Sequence, residues 1–254
     1  MSDRISSGII RKARFDQRLF SAFRRHGLLG AMRLVPKNMI ALIRLFDRER
    51  RNVLRKERKF DRRYGIDTSD VMEISPAADR HAAKHAVRYQ PTSVETIDAA
   101  LDLLQIPYPD YDFVDFGSGK GRACLLAGMR PFHNVIGIEF DPCTHAIANR
   151  NLTLMQRHDV LKCKRLLFLR DDARNFLPPG RPHVFFLYNP FDAEILAPVL
   201  EHMTAALDGG DSFIIYVHPR QRRLIEASSR WQLVHHIEPR LGPRVAIYRG
   251  AKLR

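Results

Sequence analysis

Apolar residues follow two rhythms along this chain, and the change of rhythm divides it. In residues 1–64 they recur at helical spacing. Phe15, Leu19 and Phe23 stand four apart, and after Pro36 the set Met39, Ile40, Ile43 and Phe46 forms a second stripe. The run RERRNVLRKERKFDRR, residues 48–63, has only Val53, Leu54 and Phe60 as apolar positions, which predicts a basic helix. Residues 65–84 are polar and turn-rich and read as a linker. In PTSVETIDAALDLLQIP, Thr92 and Glu95 have the spacing of a capping box. Val94, Ile97, Leu101 and Leu104 line one helical face, and Pro107 and Pro109 end it.

Beyond that helix, short apolar runs alternate with amphipathic stretches. Strands are expected at 113–117, 135–140, 166–171, 184–189, 212–218, 231–238 and 244–250. Helices are expected at 122–129, 145–157, 193–207 (despite Pro198) and 220–228. The continuous apolar runs suit parallel strands buried on both faces, and the alternation predicts an α/β, doubly wound, Rossmann-like sheet. Only about five residues separate the last two strands, too few for a crossover helix, so a C-terminal antiparallel hairpin is expected.

Charge sharpens the division. The chain of 254 residues carries +14, of which residues 1–64 supply +13 and the remainder +1. The expected organisation is a basic helical extension over 1–64, a linker over 65–84 and a domain over 85–254. Such an extension suits RNA, DNA, an acidic protein or an anionic membrane surface, or is a solvated helical face whose Arg stems cover apolar surface. Removing residues 1–64 is expected to leave the domain's ligand affinity intact. No apolar run approaches the ~20 residues of a membrane-spanning helix. Arg and Lys interrupt the N-terminus too often for a secretory signal. Cys124, Cys143 and Cys163 lie about 20 apart without a CxxC and read as reduced thiols of a cytoplasmic protein.

The chemistry centres on VDFGSGKGRACLLAG, residues 114–128. A strand, a glycine loop and a helix start let a backbone approach a nucleotide-like ligand. The dinucleotide fingerprint G-x-G-x-x-G fails because Arg122 stands at its third glycine. The phosphate-loop pattern fails because Gly121 follows Lys120. What remains is D-x-G-x-G-x-G, with Asp115, Gly117, Gly119 and Gly121. Here the sequence, over roughly residues 85–250, resembles the class I S-adenosylmethionine-dependent methyltransferases, whose motif is [DE]-x-G-x-G-x-G. Glu139 ends the second strand where that family carries an acid for the ribose hydroxyls. RDDA follows the third, where the resemblance places an acid and a small residue at the adenine: Asp172 and Ala173, with Asp171 as the alternative. YNPF, residues 188–191, looks like the family's [DN]-P-P-[FY] motif but lacks its second proline.

The resemblance implies S-adenosyl-L-methionine as cofactor. Asp115 would hold its amine, and the amides around Ser118–Gly121 its carboxylate, with Lys120 or Arg122 assisting. Asn189 and the Pro190 carbonyl would orient an amine acceptor, walled by Tyr188 and Phe191. Tyr89 and Thr92 belong to the segment that covers the cofactor in related enzymes. The expected activity is N-methylation of a macromolecule, at a protein lysine or a nucleobase. The alternatives are a small-molecule O- or N-methyltransferase and a non-catalytic nucleic-acid-binding protein. For an oxygen acceptor, His218 is the candidate base. HAAKH, with His81 and His85, lacks the Glu of a zinc protease motif, and His235 and His236 point to opposite sides of a strand, so no metal is assigned.

Overall fold

The computed structural model describes residues 51–52, 55–78, 84, 89–238 and 242–251. The apolar stripes expected around Phe15 and Ile40, and the pair His81 and His85, lie outside these residues. Two compact units divide at Val53 and Leu54. The second begins with α1 (residues 55–64) and continues through α2 (Val94–Leu104), β1 (Asp112–Phe116), α3 (Arg122–Gly128), β2 (Asn134–Glu139) and α4 (Pro142–Gln156). It then runs through β3 (Arg165–Arg170), β4 (His183–Tyr188), α5 (Ala193–Ala205), β5 (Ser212–Val217), α6 (Arg222–Glu226), β6 (Trp231–Ile237) and β7 (Val245–Gly250).

The seven strands form one sheet in the order β3-β2-β1-β4-β5-β7-β6. The first five are parallel, and β7 runs antiparallel to both β5 and β6. Every residue of β1 is buried, as are nearly all of β2 and β4. That explains the apolar residues that make up most of these strands, since both faces of the sheet are covered; Asp112 and Asp115 are the buried polar exceptions in β1. On one face pack Ile97 and Leu101 of α2, Leu125 of α3, Met155 of α4 and Tyr64 of α1. On the other pack Val199 and Met203 of α5, Ile225 of α6 and Trp231. The strand order reverses between β1 and β4, so a crevice opens at the carboxyl ends of these two neighbours, where open α/β sheets bind ligands.

Local chemistry moves several boundaries. Ser93, not Thr92, caps α2: its side chain accepts from the Thr96 amide, and Glu95 pairs with Lys56 instead of closing a capping box. Asp141 caps α4 through the Cys143 and Thr144 amides, with Pro142 at the first helical position, so this helix starts three residues earlier than its apolar pattern implies. The helix expected over 220–228 shortens to Arg222–Glu226. Residues 54–78, expected as the end of the extension and a linker, lie in the same compact unit as the sheet. The physical reason is a polar anchorage on α3, described below.

Candidate active site

A cavity of about 320 Å³ lies at the strand-order reversal, within the range of small-molecule and cofactor pockets, ~300–1,000 Å³. The glycine loop after β1 forms its floor. Gly117 (φ 78°) and Gly119 (φ 56°) both take left-handed conformations that other residues rarely adopt. A Cβ on Gly117 would stand 2.7 Å from Pro190, and one on Gly119 would stand 2.1 Å from the Tyr89 ring. The loop is therefore clamped between the end of β4 and the segment that precedes α2. Gly121 (φ 86°) is the residue from which α3 starts.

Two buried carboxylates stand beside this loop. Asp115 on β1 is 3 % exposed. Its side-chain donor among the described residues is the Cys124 thiol, at 3.7 Å. Burial, reinforced by Glu139, pushes its pKa up to about 8. Glu139 ends β2 and accepts the Gly119 amide on one oxygen and the Asp141 amide on the other, each at 2.8 Å. Burial still raises its pKa to about 7. Each carboxylate oxygen keeps a second lone-pair direction for a ligand donor. The Ser118 hydroxyl beside them is buried with no partner among the described residues. Two under-compensated carboxylates and an orphaned hydroxyl suit a ligand that carries a cation and several hydroxyl or amine donors.

The loop amides differ from the expected anion cradle. Gly117 and Ser118 donate to the Ile138 carbonyl, Gly119 to Glu139 and Gly121 to the Ser118 carbonyl. These four N–H groups are spent within the protein, whereas the buried Ser118 hydroxyl has no partner among the described residues. Lys120 and Arg122 are likewise engaged and buried. Lys120 reaches Asp67 at 2.9 Å and lies over the Tyr89 ring. Arg122 pairs with Glu57, meets Asp61 at 3.2 Å and donates from Nε to the Thr68 hydroxyl at 2.9 Å. Burial lowers its pKa to about 10, so it stays charged at neutral pH.

These contacts explain why residues 57–78 lie against the domain. Asp61 also accepts the Thr68 and Ser69 amides, and the Tyr89 hydroxyl donates to the Thr68 carbonyl at 2.7 Å. Met72 and Tyr89 form an antiparallel bridge, and the Ser75 amide donates to Asp141 at 2.6 Å. Met72, Glu73 and Ile74 thereby join Tyr89 and Thr92 in the cavity wall. Sequence reasoning missed these three. Their signal was VMEI, an apolar interruption in a polar stretch.

The far wall comes from β3 and β4. Asp171, Asp172 and Ala173 all border the cavity. Asp172 starts a 3-10 turn (Ala173–Asn175) and grips Arg174 with both oxygens, whereas Asp171 accepts from Asn175. Tyr188, Asn189, Pro190 and Phe191 also line it. Asn189 is buried at φ 39°, a conformation that Asn tolerates better than most residues. His218, after the adjacent β5, is held at φ 53° and faces the same space with Arg220. Such backbone strain clusters at functional sites. Arg220 Nε lies 3.5 Å from His218 Nε2. Burial, with this guanidinium, lowers the imidazole pKa. The sequence-derived site residues thus surround one cavity, except Gly121, which does not line it and packs against Phe168. Among the described residues no cluster of three metal-ligating side chains occurs, and no helix is long and apolar enough to cross a membrane.

No protein-family model matches the chain, and no curated protein matches it. Many solved structures share its fold. A candidate methyltransferase, yhhF of Escherichia coli, is 16 % identical with a TM-score of 0.51, over 64 % of this chain and 89 % of that one. Magnesium protoporphyrin IX methyltransferase from Synechocystis, solved with bound S-adenosylmethionine, is 11 % identical with a TM-score of 0.48, over 62 % and 79 %. An RNA methyltransferase from Salinibacter ruber, solved with S-adenosylhomocysteine, is 16 % identical with a TM-score of 0.43, over 65 % and 95 %. The fold is the seven-stranded, Rossmann-like one of the class I methyltransferases.

Proposed function

We propose that this chain is an S-adenosylmethionine-dependent methyltransferase that methylates nitrogen on a macromolecular acceptor, a protein lysine or a nucleobase. The observation that carries the reading is that two sets of residues line one cavity, which supports a cofactor end and an acceptor end. Asp115, Ser118 and Glu139 mark the first, and Asn189-Pro190-Phe191 marks the second, within contact distance of the glycine loop. The cofactor would supply an electrophilic methyl on a sulfonium. Asp115 would take its amine, Glu139 its ribose hydroxyls, the Ser118 hydroxyl its carboxylate, and Asp172 or Asp171 its adenine amine beside Ala173. A bound cation would return Asp115 to its ionised form, which burial alone resists. Tyr89 and Thr92 would cover this end.

At the acceptor end the Asn189 carbonyl oxygen and the Pro190 carbonyl accept N–H hydrogens and aim the nitrogen lone pair at the methyl. Asn is no base at neutral pH, so its contribution is positioning, which in such displacements supplies much of the acceleration. Tyr188 and Phe191 exclude water and pack on the acceptor. The three cysteines are free thiols, which fits a reducing, cytoplasmic setting. A second reading has its own observation: His218 faces the cavity with a lowered pKa. It would serve as base for a hydroxyl acceptor on a small molecule.

The test is transfer of tritiated methyl from S-adenosylmethionine into a host-cell lysate, with Asn189→Ala and His218→Ala alongside. Expected are protease- or nuclease-sensitive label, a loss of roughly 10²-fold or more in Asn189→Ala from lost alignment, and cofactor affinity unchanged in that variant. Label lost only in His218→Ala and recovered in small molecules would establish the second reading. Failure of the wild-type chain to bind S-adenosylmethionine would overturn both.

A further inference from the structure

α1 has two chemically opposed faces. Glu57, Asp61 and Tyr64 are buried and Phe60 is half-buried, all turned to the domain. Glu57 and Asp61 bind Arg122, whose guanidinium lies 5.6 Å over the Phe60 ring. Tyr64 packs edge-on to His158 at 5.3 Å. At 3.6 residues per turn, the arc opposite these anchors, about 100° wide, belongs to Arg55, Arg58, Lys59 and Arg62. All four are exposed, and no ion pair engages them among the described residues. Their spacing of i, i+3, i+4 and i+7 places like charges side by side, an arrangement that weakens a helix. The fold gains nothing from the stripe, while the inner face fixes it rigidly to the domain.

We propose that this stripe docks the phosphate backbone of a nucleic acid. Three guanidiniums and an ammonium over about 10 Å of helix axis match a run of successive phosphates, and the guanidinium fork suits phosphate oxygens. An anionic bilayer is a poorer match. A helix lying in a membrane surface needs a free apolar face, and here Phe60 and Tyr64 are taken up against the domain. The surface acts independently of methyl transfer, because binding needs neither cofactor nor turnover.

The test uses the full chain and fluorescence anisotropy with a mixed-sequence RNA oligonucleotide over a potassium chloride series. The variant Arg55→Glu/Arg58→Glu/Lys59→Glu/Arg62→Glu is compared with Arg150→Glu/Arg157→Glu/Lys162→Glu/Lys164→Glu, which changes net charge equally elsewhere on the domain. Expected is a loss of at least ~30-fold for the α1 variant at low salt, with the slope of log affinity against log salt falling by about 3. The control should stay within about threefold of wild type. Circular dichroism reports folding, and the four-fold Gln version of the α1 variant serves if the Glu version unfolds. Equal losses in both variants, or RNA affinity retained in the α1 variant, would overturn the proposal. So would α1-dependent binding to phosphatidylserine vesicles in the absence of any α1-dependent RNA binding.

Discussion

Asp115 shows what a single residue must reconcile. Its folded pKa of about 8 stands far above the ordinary carboxylate value of about 4. Between those limits the native state holds a proton that the unfolded state has released. Stability without cofactor should therefore fall as pH rises from about 4 to about 8, and the penalty is fully present above the folded pKa. Asp115→Asn removes the titration. We expect it to raise the cofactor-free protein's stability at pH 8 by on the order of 1–3 kcal/mol, to flatten its dependence of Tm on pH, and to weaken S-adenosylmethionine binding sharply. Calorimetric melts across this pH range, with titration of the cofactor, check all three. An Asn variant less stable than wild type at pH 8 would mean that the carboxylate already has a cation partner. Gly119 is a second such residue, where the demand is steric. Gly119→Ala would drive a methyl into the Tyr89 ring at an unfavourable φ. It should expel that ring, lowering cofactor affinity about as much as Tyr89→Ala does, and the double variant should add little further.

Among the elements, the informative pair is α1 and α3. Arg122 is almost wholly buried between Glu57, Asp61 and Thr68. Removing one partner of a buried ion pair commonly costs ~3–5 kcal/mol, because the other charge is left uncompensated. Arg122→Met should cost about that much, and hydrogen exchange should locate the loosening in residues 57–75 rather than in the sheet. Adding Glu57→Gln and Asp61→Asn should recover part of the loss. This pairing also shows where sequence reading stops. β2 and β4 were legible because burial on both faces imposes a run of apolar residues, and β1 because Phe113, Val114 and Phe116 lead directly into the glycine loop. The terminal hairpin was legible because its connection is too short for any other topology. The glycines and Asn189-Pro190 were legible because their spacing is local. The Glu57–Arg122 pair spans 65 residues, and charged residues carry no pattern that separates a buried partner from a solvated one. Thr92 stands at the capping-box spacing from Glu95, which points to it as the cap, but Glu95 is turned to Lys56 and Ser93 takes the Thr96 amide. With Ser93 as the cap, Thr92 is left to the cavity wall.

At the scale of the whole molecule, composition and packing draw different borders. The excess of basic residues ends near residue 64, whereas the compact unit begins at Leu54. The two borders predict different outcomes for two truncations. A chain starting at Leu54 keeps Glu57, Asp61 and the whole strap over the glycine loop. It should melt within a few degrees of the full chain and bind S-adenosylmethionine with similar affinity. A chain starting at Gly65 follows the charge boundary, where the sequence alone leads one to expect cofactor affinity to survive, but the packing predicts otherwise. It would leave Arg122 buried beside Thr68 with neither carboxylate and strip Tyr64 from the core. By the cost of an unpaired buried charge, ~3–5 kcal/mol, it should melt many degrees lower. Its cofactor affinity should fall too, because residues 66–75 would lose the Asp61 contacts that hold Thr68 and, through it, Tyr89. Thermal melts and cofactor titrations of the two truncations separate these borders. Equal behaviour of the two would mean that the basic helix is an appendage after all. A large difference would mean that the last stretch of the basic segment, residues 55–64, belongs to the folded unit, with Glu57 and Asp61 directed at Arg122 and Arg55, Arg58, Lys59 and Arg62 directed outward.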